Sequence, residues 1–342
     1  MLDTAHQLKE VCNDIPFIYR AGVWKPRTSP DTFQGIGEEA LGWLGEVKER
    51  FDLPVATEVA TPEHVRAALF AGIDYLWIGA RTSANPIAVQ AIADTICKTK
   101  RKPQGVVVKN PVSEDVSLWL GNIERLEKTG VAVIAVHRGC NHRPCWHMAH
   151  AVRTARPEIP LLIDPSHMSG DAAKIQGLLH KADGLGYDGA MIEVHRNPKE
   201  ALSDSSQQIS SYQLGNYLGS LPCRFRVVSV SFPCRFRTEQ QSGQSLSAQK
   251  CDEQQSESSE LDWLRAEIDE LDDRLWETIA ARMGVSRRIG EWKKAHGVAA
   301  LQPKRYLQIL SAREQWAAEN GLSDNFAKQL FDLIHEESLK KQ

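Results

Sequence analysis

Three features are missing from this sequence. No apolar run approaches the roughly 18 residues needed to cross a membrane, and residues 1–10 mix charge and polarity without the apolar centre of a secretory leader. Neither sign of charge dominates: 41 Lys and Arg stand against 44 Asp and Glu, for a formal charge of −3. That balance argues against a dedicated nucleic-acid or membrane-surface binder, so neither partner is expected. A cysteine framework is missing as well. The seven cysteines, Cys12, Cys97, Cys140, Cys145, Cys223, Cys234 and Cys251, are odd in number and scattered over a long chain. They suit a reducing cytoplasm better than a set of disulfides.

What is present suffices for two domains: 342 residues, 42% hydrophobic and 25% charged. Up to about residue 204, short β-branched runs alternate with helical stretches. The runs are 17–19, 55–59, 75–78, 106–108, 131–136, 161–163 and 190–194. Apolar runs of this length, each followed by a polar loop and a helical pattern, read as buried parallel strands of βα units. Seven units are one short of a closed (β/α)₈ barrel. Residues 4–12 read as a helix with no strand-like run before them. We therefore expect an α/β barrel of TIM type lacking its first strand, with an open seven-stranded sheet as the alternative.

Residues 1–221 are assigned to this barrel and 222–259 to a linker, since 238–259 is rich in Ser, Gln and Glu without apolar periodicity. Within the linker Pro222-Cys223-Arg224-Phe225-Arg226 recurs as Pro233-Cys234-Arg235-Phe236-Arg237. Two copies do not make a repeat architecture, and an incidental duplication is the simpler reading. Residues 260–342 are helical throughout. Leu261, Leu264, Ile268, Leu271, Leu275 and Ile279 form an apolar stripe at helical spacing that ends near Gly297. Pro303 opens a second helix and Ser323-Asp324-Asn325 a third. Three helices, one very long, cannot bury their own stripes, so a homodimer through them is expected.

Catalytic groups of such barrels sit at the C-terminal ends of strands. Those positions hold Arg20, Lys25, Glu58, Arg81, Lys109, Arg138, His167 and Glu193. A lone cation here is a solvated charge. Several from different strands make an anion cavity suited to phosphates and carboxylates. His167, Glu193 and Asp204 are of the types that hold a divalent metal with an open position.

The run Arg20-Ala21-Gly22, Lys25-Pro26-Arg27-Thr28-Ser29-Pro30 and Phe33-Gln34-Gly35 resembles the type I 3-deoxy-D-arabino-heptulosonate 7-phosphate (DAHP) synthases of the β subclass. So do Thr57-Glu58-Val59, Ile78-Gly79-Ala80-Arg81-Thr82, Val108-Lys109-Asn110-Pro111, Asp164-Pro165-Ser166-His167 and Ala201-Leu202-Ser203-Asp204, in the family's order. The resemblance implies condensation of phosphoenolpyruvate with erythrose 4-phosphate. It implies that Arg20, Lys25, Arg81, Lys109 and Arg138 grip phosphoenolpyruvate, with Lys25 catalytic, and that Lys25, Pro26, Arg27 and Thr28 orient erythrose 4-phosphate. It further implies that His167, Glu193 and Asp204 are three of four ligands to a divalent metal, Mn²⁺ or similar. The family's fourth ligand, a Cys in a Gly-Pro-Cys segment on the first strand, has no counterpart here. The loop after His137-Arg138-Gly139 is also short. It carries Cys140, His142, Cys145, His147 and His150, zinc-ligand types at a spacing that matches no standard site. A loop and helix start is the preferred reading.

The segment from Glu260 resembles the all-helical chorismate mutases, with Arg265, Arg282, Lys293, Gln302, Arg305, Ser338 and Gln342 at that family's binding positions. The resemblance implies rearrangement of chorismate to prephenate. Arg282 and Arg265 would bind the two carboxylates with Arg305 in support. Lys293 and Gln342 would donate to the ether oxygen, and Gln302 and Ser338 would meet the hydroxyl end. It implies catalytic roles for Arg282, Lys293 and Gln342, and one Arg supplied by the partner chain. The expectation is a bifunctional cytoplasmic enzyme of aromatic amino-acid biosynthesis, its synthase half open to inhibition by prephenate. The alternative is an active mutase carrying a non-catalytic or truncated barrel as a scaffold.

Overall fold

The computed structural model describes residues 1–12, 15–27, 31–220, 226–227 and 253–341. Thr28, Gln342 and nearly all of the duplicated Pro-Cys-Arg-Phe-Arg segment lie outside them. The described residues divide into two compact units, Met1–Glu267 and Ile268–Gln342.

The first unit opens with α1 (Leu2–Cys12), β1 (Tyr19–Arg20), α2 (Glu39–Phe51), β2 (Val55–Glu58), α3 (Pro62–Phe70), β3 (Tyr75–Ile78), α4 (Ala80–Ser83) and α5 (Pro86–Lys98). It continues with β4 (Gly105–Lys109), α6 (Val116–Glu127), β5 (Ala132–His137), α7 (Trp146–Ala155), β6 (Leu161–Ile163), α8 (Pro165–Ser169) and α9 (Ile175–Gly184). The series ends with β7 (Gly189–Ala190), α10 (Ser211–Ser220) and β8 (Arg226–Val227). All strands are parallel and neighbours in sheet order are neighbours in sequence, from β1 to β8. The parallel curled sheet with helical crossovers is the expected TIM-type fold. The eighth strand was not foreseen: β8 falls in the stretch read as linker and pairs Gly189 with Arg226. The seventh run is shorter than expected, ending at Ala190, with Val194 reaching only Ile209 through an isolated bridge.

Helix starts are written locally. Thr61, Asn85, Asp115 and Asp164 each accept a backbone N–H of the following first turn, and Pro62, Pro86 and Pro165 supply helix-ready first residues. The strands alternate in strict period two. Ile18, Ala56, Tyr75, Trp77, Val107, Ile134, Val136, Leu162 and Met191 pack together inside the curl of the sheet. Their neighbours Leu76, Ile78, Val106, Val108, Ala135, Leu161 and Ile163 join the larger core under the helices. This parity decides which polar residues at the strand ends point inward.

α11 (Glu253–Ala295) is continuous, and its residues up to Glu267 belong to the first unit. There Trp263 is 2% exposed, stacked on His150 at 5.6 Å and packed against Trp146 and Tyr187. The second unit holds the rest of α11 with α12 (Pro303–Glu319) and α13 (Asp324–Lys340). Phe331 and Ala317 are buried, but Leu271, Trp276, Trp292 and Leu333 are exposed. Among the described residues no helix is long and apolar enough to cross a membrane.

Candidate active sites

Counting forward by two from the inward core residues of each strand predicts the cavity. Ile18 leads to Arg20, Ala56 to Glu58, Val107 to Lys109, Val136 to Arg138, Leu162 to Asp164, and Met191 to Glu193. His137 has the other parity. It points among the helices, with Nδ1 2.8 Å from Tyr187 Oη, and burial drives its pKa down to about 3. The cavity, about 240 Å³, is lined by six cations, Arg20, Lys25, Arg27, Arg81, Lys109 and Arg138, against three carboxylates, Glu58, Glu193 and Asp204. Gly79 is needed for this packing, because a Cβ there would stand 2.0 Å from Glu58 Oε1.

Much of this charge is already paired. Lys109 Nζ donates to Asp164 Oδ2 at 2.6 Å. His167 Nδ1 lies 2.9 Å from the same oxygen, and its Nε2 is 3.7 Å from Glu193 Oε1. Gln207 Nε2 donates to Glu193 Oε2 at 2.8 Å, and Arg20 Nη2 approaches Oε1 at 3.8 Å. Arg20 also lies over the Trp77 ring, 5.1 Å from its centroid, and its Nε is a buried donor with no protein partner. A donor in that state suits an anionic guest.

Burial and charge set the protonation states. Burial lowers the Lys109 ammonium below its ordinary value, and Asp164 pulls it back. Burial would raise Asp164, but His167, Lys109 and Arg20 together hold it well below the usual carboxylate range. Burial likewise opposes ionisation of Glu193, and His167, Arg20 and Gln207 overcome it. For Glu58 burial wins over Lys109, Arg20 and His167, and its pKa is raised. Glu58 and Asp164 were read from sequence at strand ends and in the family motifs but given no role; strand parity is the signal that turns both inward.

The three residues read as metal ligands are not drawn together. Asp204, at φ 56°, is turned to the cations: Arg27 Nη2 donates to Oδ2 at 2.9 Å and Nη1 to Oδ1 at 3.3 Å. Lys25 Nζ lies 3.5 Å from Oδ2 and donates to Ser203 Oγ at 2.6 Å. Among the described residues no group of three His, Cys, Asp or Glu side chains is placed to hold an ion. His167 Nε2 and Glu193 Oε1 do have a spacing that two ligands of one divalent ion can take; Asp204 as placed does not complete a site. The loop after Arg138 is a tight turn, with Cys140 and Arg143 exchanging backbone hydrogen bonds and Asn141, His142 and Cys145 at positive φ. Asn110, the residue after β4, holds it, accepting from Arg138 N at 2.7 Å and donating to Gly139 O at 3.1 Å.

In the second unit Arg282 donates to Ser338 Oγ and reaches Ile334 O at 3.4 Å, joining α11 to α13. Burial and the nearby Arg313 depress its pKa. Lys293 Nζ donates to Ala300 O, Gln302 precedes α12 as its N-cap, and Arg305 is exposed. Arg265 stands in the first unit, 3.4 Å from Asp262.

Residues 1–221 match the DAHP synthetase I family. The chain belongs to that family. Residues 264–342 match chorismate mutase type II, so a second domain follows the first. The chain is 30% identical over 218 residues to a phospho-2-dehydro-3-deoxyheptonate aldolase of Thermotoga maritima, covering 61% of either chain. It is 27% identical to a 2-dehydro-3-deoxyphosphooctonate aldolase of Burkholderia vietnamiensis, over 64% of this chain and 84% of that one. Its C-terminal part is 38% identical over 79 residues to a 4-amino-4-deoxychorismate mutase of Streptomyces venezuelae, over 23% of this chain and 77% of that one. The crystal structure of the Thermotoga maritima DAHP synthase superposes with a TM-score of 0.56 at 25% identity, covering 64% of this chain and 62% of that one. The chain thus spans about three fifths of the length of its DAHP synthase relative.

Proposed function

We propose that the protein is a bifunctional shikimate-pathway enzyme that condenses phosphoenolpyruvate with erythrose 4-phosphate and rearranges chorismate to prephenate. The observation that carries the first activity is the gathering of six cations from separate segments of the barrel around one cavity. Fixed cations offset the charge of two phosphorylated substrates and hold the reacting carbons together. Lys109, Arg138, Arg81, Arg20 and Lys25 would grip phosphoenolpyruvate, and Arg27 with its neighbours Pro26 and Thr28 the second phosphate. A divalent ion, Mn²⁺ or similar, would be held by His167 and Glu193, and by Asp204 once it leaves Arg27; when bound it supplies Lewis-acid polarisation of an aldehyde. A heptonate is three carbons of phosphoenolpyruvate plus four of erythrose 4-phosphate, whereas an octonate requires a five-carbon acceptor. The Lys25–Thr28 segment and the fused mutase support the four-carbon one.

In the helical domain Arg282, held by Ser338, is the carboxylate anchor, with Arg265, Lys293, Gln302, Arg305 and Gln342 completing the set. The rearrangement is intramolecular, so the protein only has to hold the folded conformer and stabilise charge at the breaking ether bond. The exposed apolar faces support a homodimer, with a second copy supplying the missing arginine. Cytoplasmic residence is supported by the odd number and scattered placement of the seven cysteines in the sequence. Prephenate held by the mutase domain would inhibit the synthase.

One sample tests the whole reading. Phosphoenolpyruvate disappearance with erythrose 4-phosphate and Mn²⁺ is followed beside chorismate disappearance, then repeated with added prephenate. Both turnovers are expected. Chorismate turnover alone would leave the barrel as a scaffold, and a synthase rate indifferent to prephenate would end the regulatory part.

A further inference from the structure

Asp164 is fully buried, yet two groups that face the cavity depend on it. Its Oδ2 takes Lys109 Nζ at 2.6 Å and stands 2.9 Å from His167 Nδ1. Its Oδ1 accepts the His167 backbone N–H at 3.1 Å, capping α8, and its own N–H donates to His137 O at 2.7 Å. The carboxylate is therefore fixed through the backbone at the end of β6 and cannot follow its partners if they move.

We infer that Asp164 is the positioning residue of the barrel site: it fixes the buried Lys109 ammonium in place and holds the His167 ring so that Nε2 faces Glu193. A carboxylate only accepts, so His167 Nδ1 must donate. Without Asp164, Lys109 is a buried cation with no fixed counter-charge and has reason to swing away. This rests on reading the cavity as a phosphoenolpyruvate site. It also opposes simple charge counting, by which removing a carboxylate near an anion site tightens anion binding.

The test uses the full chain as wild type, Asp164→Ala, Lys109→Met and the double variant. Selective ¹⁵N-histidine labelling reports the state of His167 Nδ1 from its ring nitrogen shifts, assigned with His167→Gln. Calorimetric titration reports phosphoenolpyruvate affinity, and thermal unfolding shows that each variant is folded. Wild type and Lys109→Met are expected to show His167 Nδ1 protonated and hydrogen-bonded, and both variants lacking Asp164 to lose that Nδ1 signature. Asp164→Ala is expected to bind phosphoenolpyruvate at least about tenfold more weakly, the scale of one lost charge-assisted contact. An unchanged Nδ1 signature in the double variant, or equal or tighter binding by Asp164→Ala, overturns the inference. If Asp164→Ala does not fold, the double variant, which leaves no buried ion without its partner, carries the Nδ1 test. If wild type takes up no phosphoenolpyruvate, the barrel reading falls, and the Nδ1 comparison still decides the role of Asp164.

Discussion

In the barrel unit the charged side chains that enter the cavity find partners within the same unit: Lys109 with Asp164, Arg27 with Asp204, Glu193 with Gln207 and His167. In the helical unit the corresponding surfaces are open. Leu271, Trp276, Trp292 and Leu333 are 58, 69, 57 and 66% exposed. The two units differ in how a site is completed. A parallel sheet curled on itself brings its strand ends to one mouth, so a single chain converges its own cations. Three helices enclose little, and a pocket made from them needs surface from elsewhere.

The largest effect that probes this difference is Arg282→Ala. Removing the proposed carboxylate anchor from the helical site is expected to lower chorismate turnover by about 10²–10³-fold, the usual scale for loss of a preorganised charge-stabilising donor. Synthase turnover in the same sample should hold, because no barrel residue is touched. A parallel fall in both activities would mean that the units do not complete their sites separately.

Next comes Trp276→Glu, which places a charge on the exposed face of α11. Sedimentation equilibrium is expected to return the single-chain mass of 38.2 kDa for the variant and twice that for wild type. Chorismate turnover should fall at least about tenfold, as expected where one binding arginine comes from a second copy. A variant that stays dimeric, or a monomer with full mutase turnover, would show that the helical unit is complete alone.

The parts of the molecule legible in sequence follow the same division. Strand-helix alternation showed the barrel because each βα unit is a local pattern, and the cations were found because they stand directly after those strands. Asp204 was read as a metal ligand from its place in the motif; its actual bonds to Arg27 and Lys25 span about 180 residues of chain, and no local pattern encodes them. β8 was missed because Arg226–Val227 fall where the two Pro-Cys-Arg-Phe-Arg copies led the whole stretch to be assigned to the linker, although Val227-Val228-Ser229-Val230 is itself a β-branched run. Glu58 and Asp164 were seen at strand ends but left without a role, although counting by two from Ala56 and Leu162 puts both on the inner face. In the helices the apolar stripe was plain, but which faces meet within one chain depends on packing that spacing alone does not fix.

Glu58 sharpens the contrast from the barrel side. Its folded pKa is raised, so the folded state holds its proton to higher pH than the unfolded chain does. The stability it contributes is full below the unfolded glutamate value of about 4.3 and is lost as pH rises through the folded value. Glu58→Gln is therefore expected to unfold at higher temperature than wild type at neutral pH, with the gap closing toward pH 4. The slope is at most about 1.4 kcal/mol per pH unit, one proton's worth. Barrel unfolding followed by near-ultraviolet circular dichroism across pH checks it. A gap that widens toward acid would mean that the neighbouring cations, rather than burial, govern this carboxyl.

The smallest effect separates what the helical unit does supply by itself. Ser338 is 2% exposed, accepts from Arg282 and donates to Ile334 O at 2.7 Å, so it fixes the guanidinium from α13 of the same chain. Ser338→Ala deletes one hydrogen-bond partner of a charged group while leaving the charge. A loss of about 1–1.5 kcal/mol is expected, close to tenfold in kcat/KM for chorismate. Dimer mass should be unchanged. If the same substitution instead cost as much as Arg282→Ala, the anchor would depend wholly on its intrachain partner, and the helical unit would resemble the barrel in carrying its own completed site.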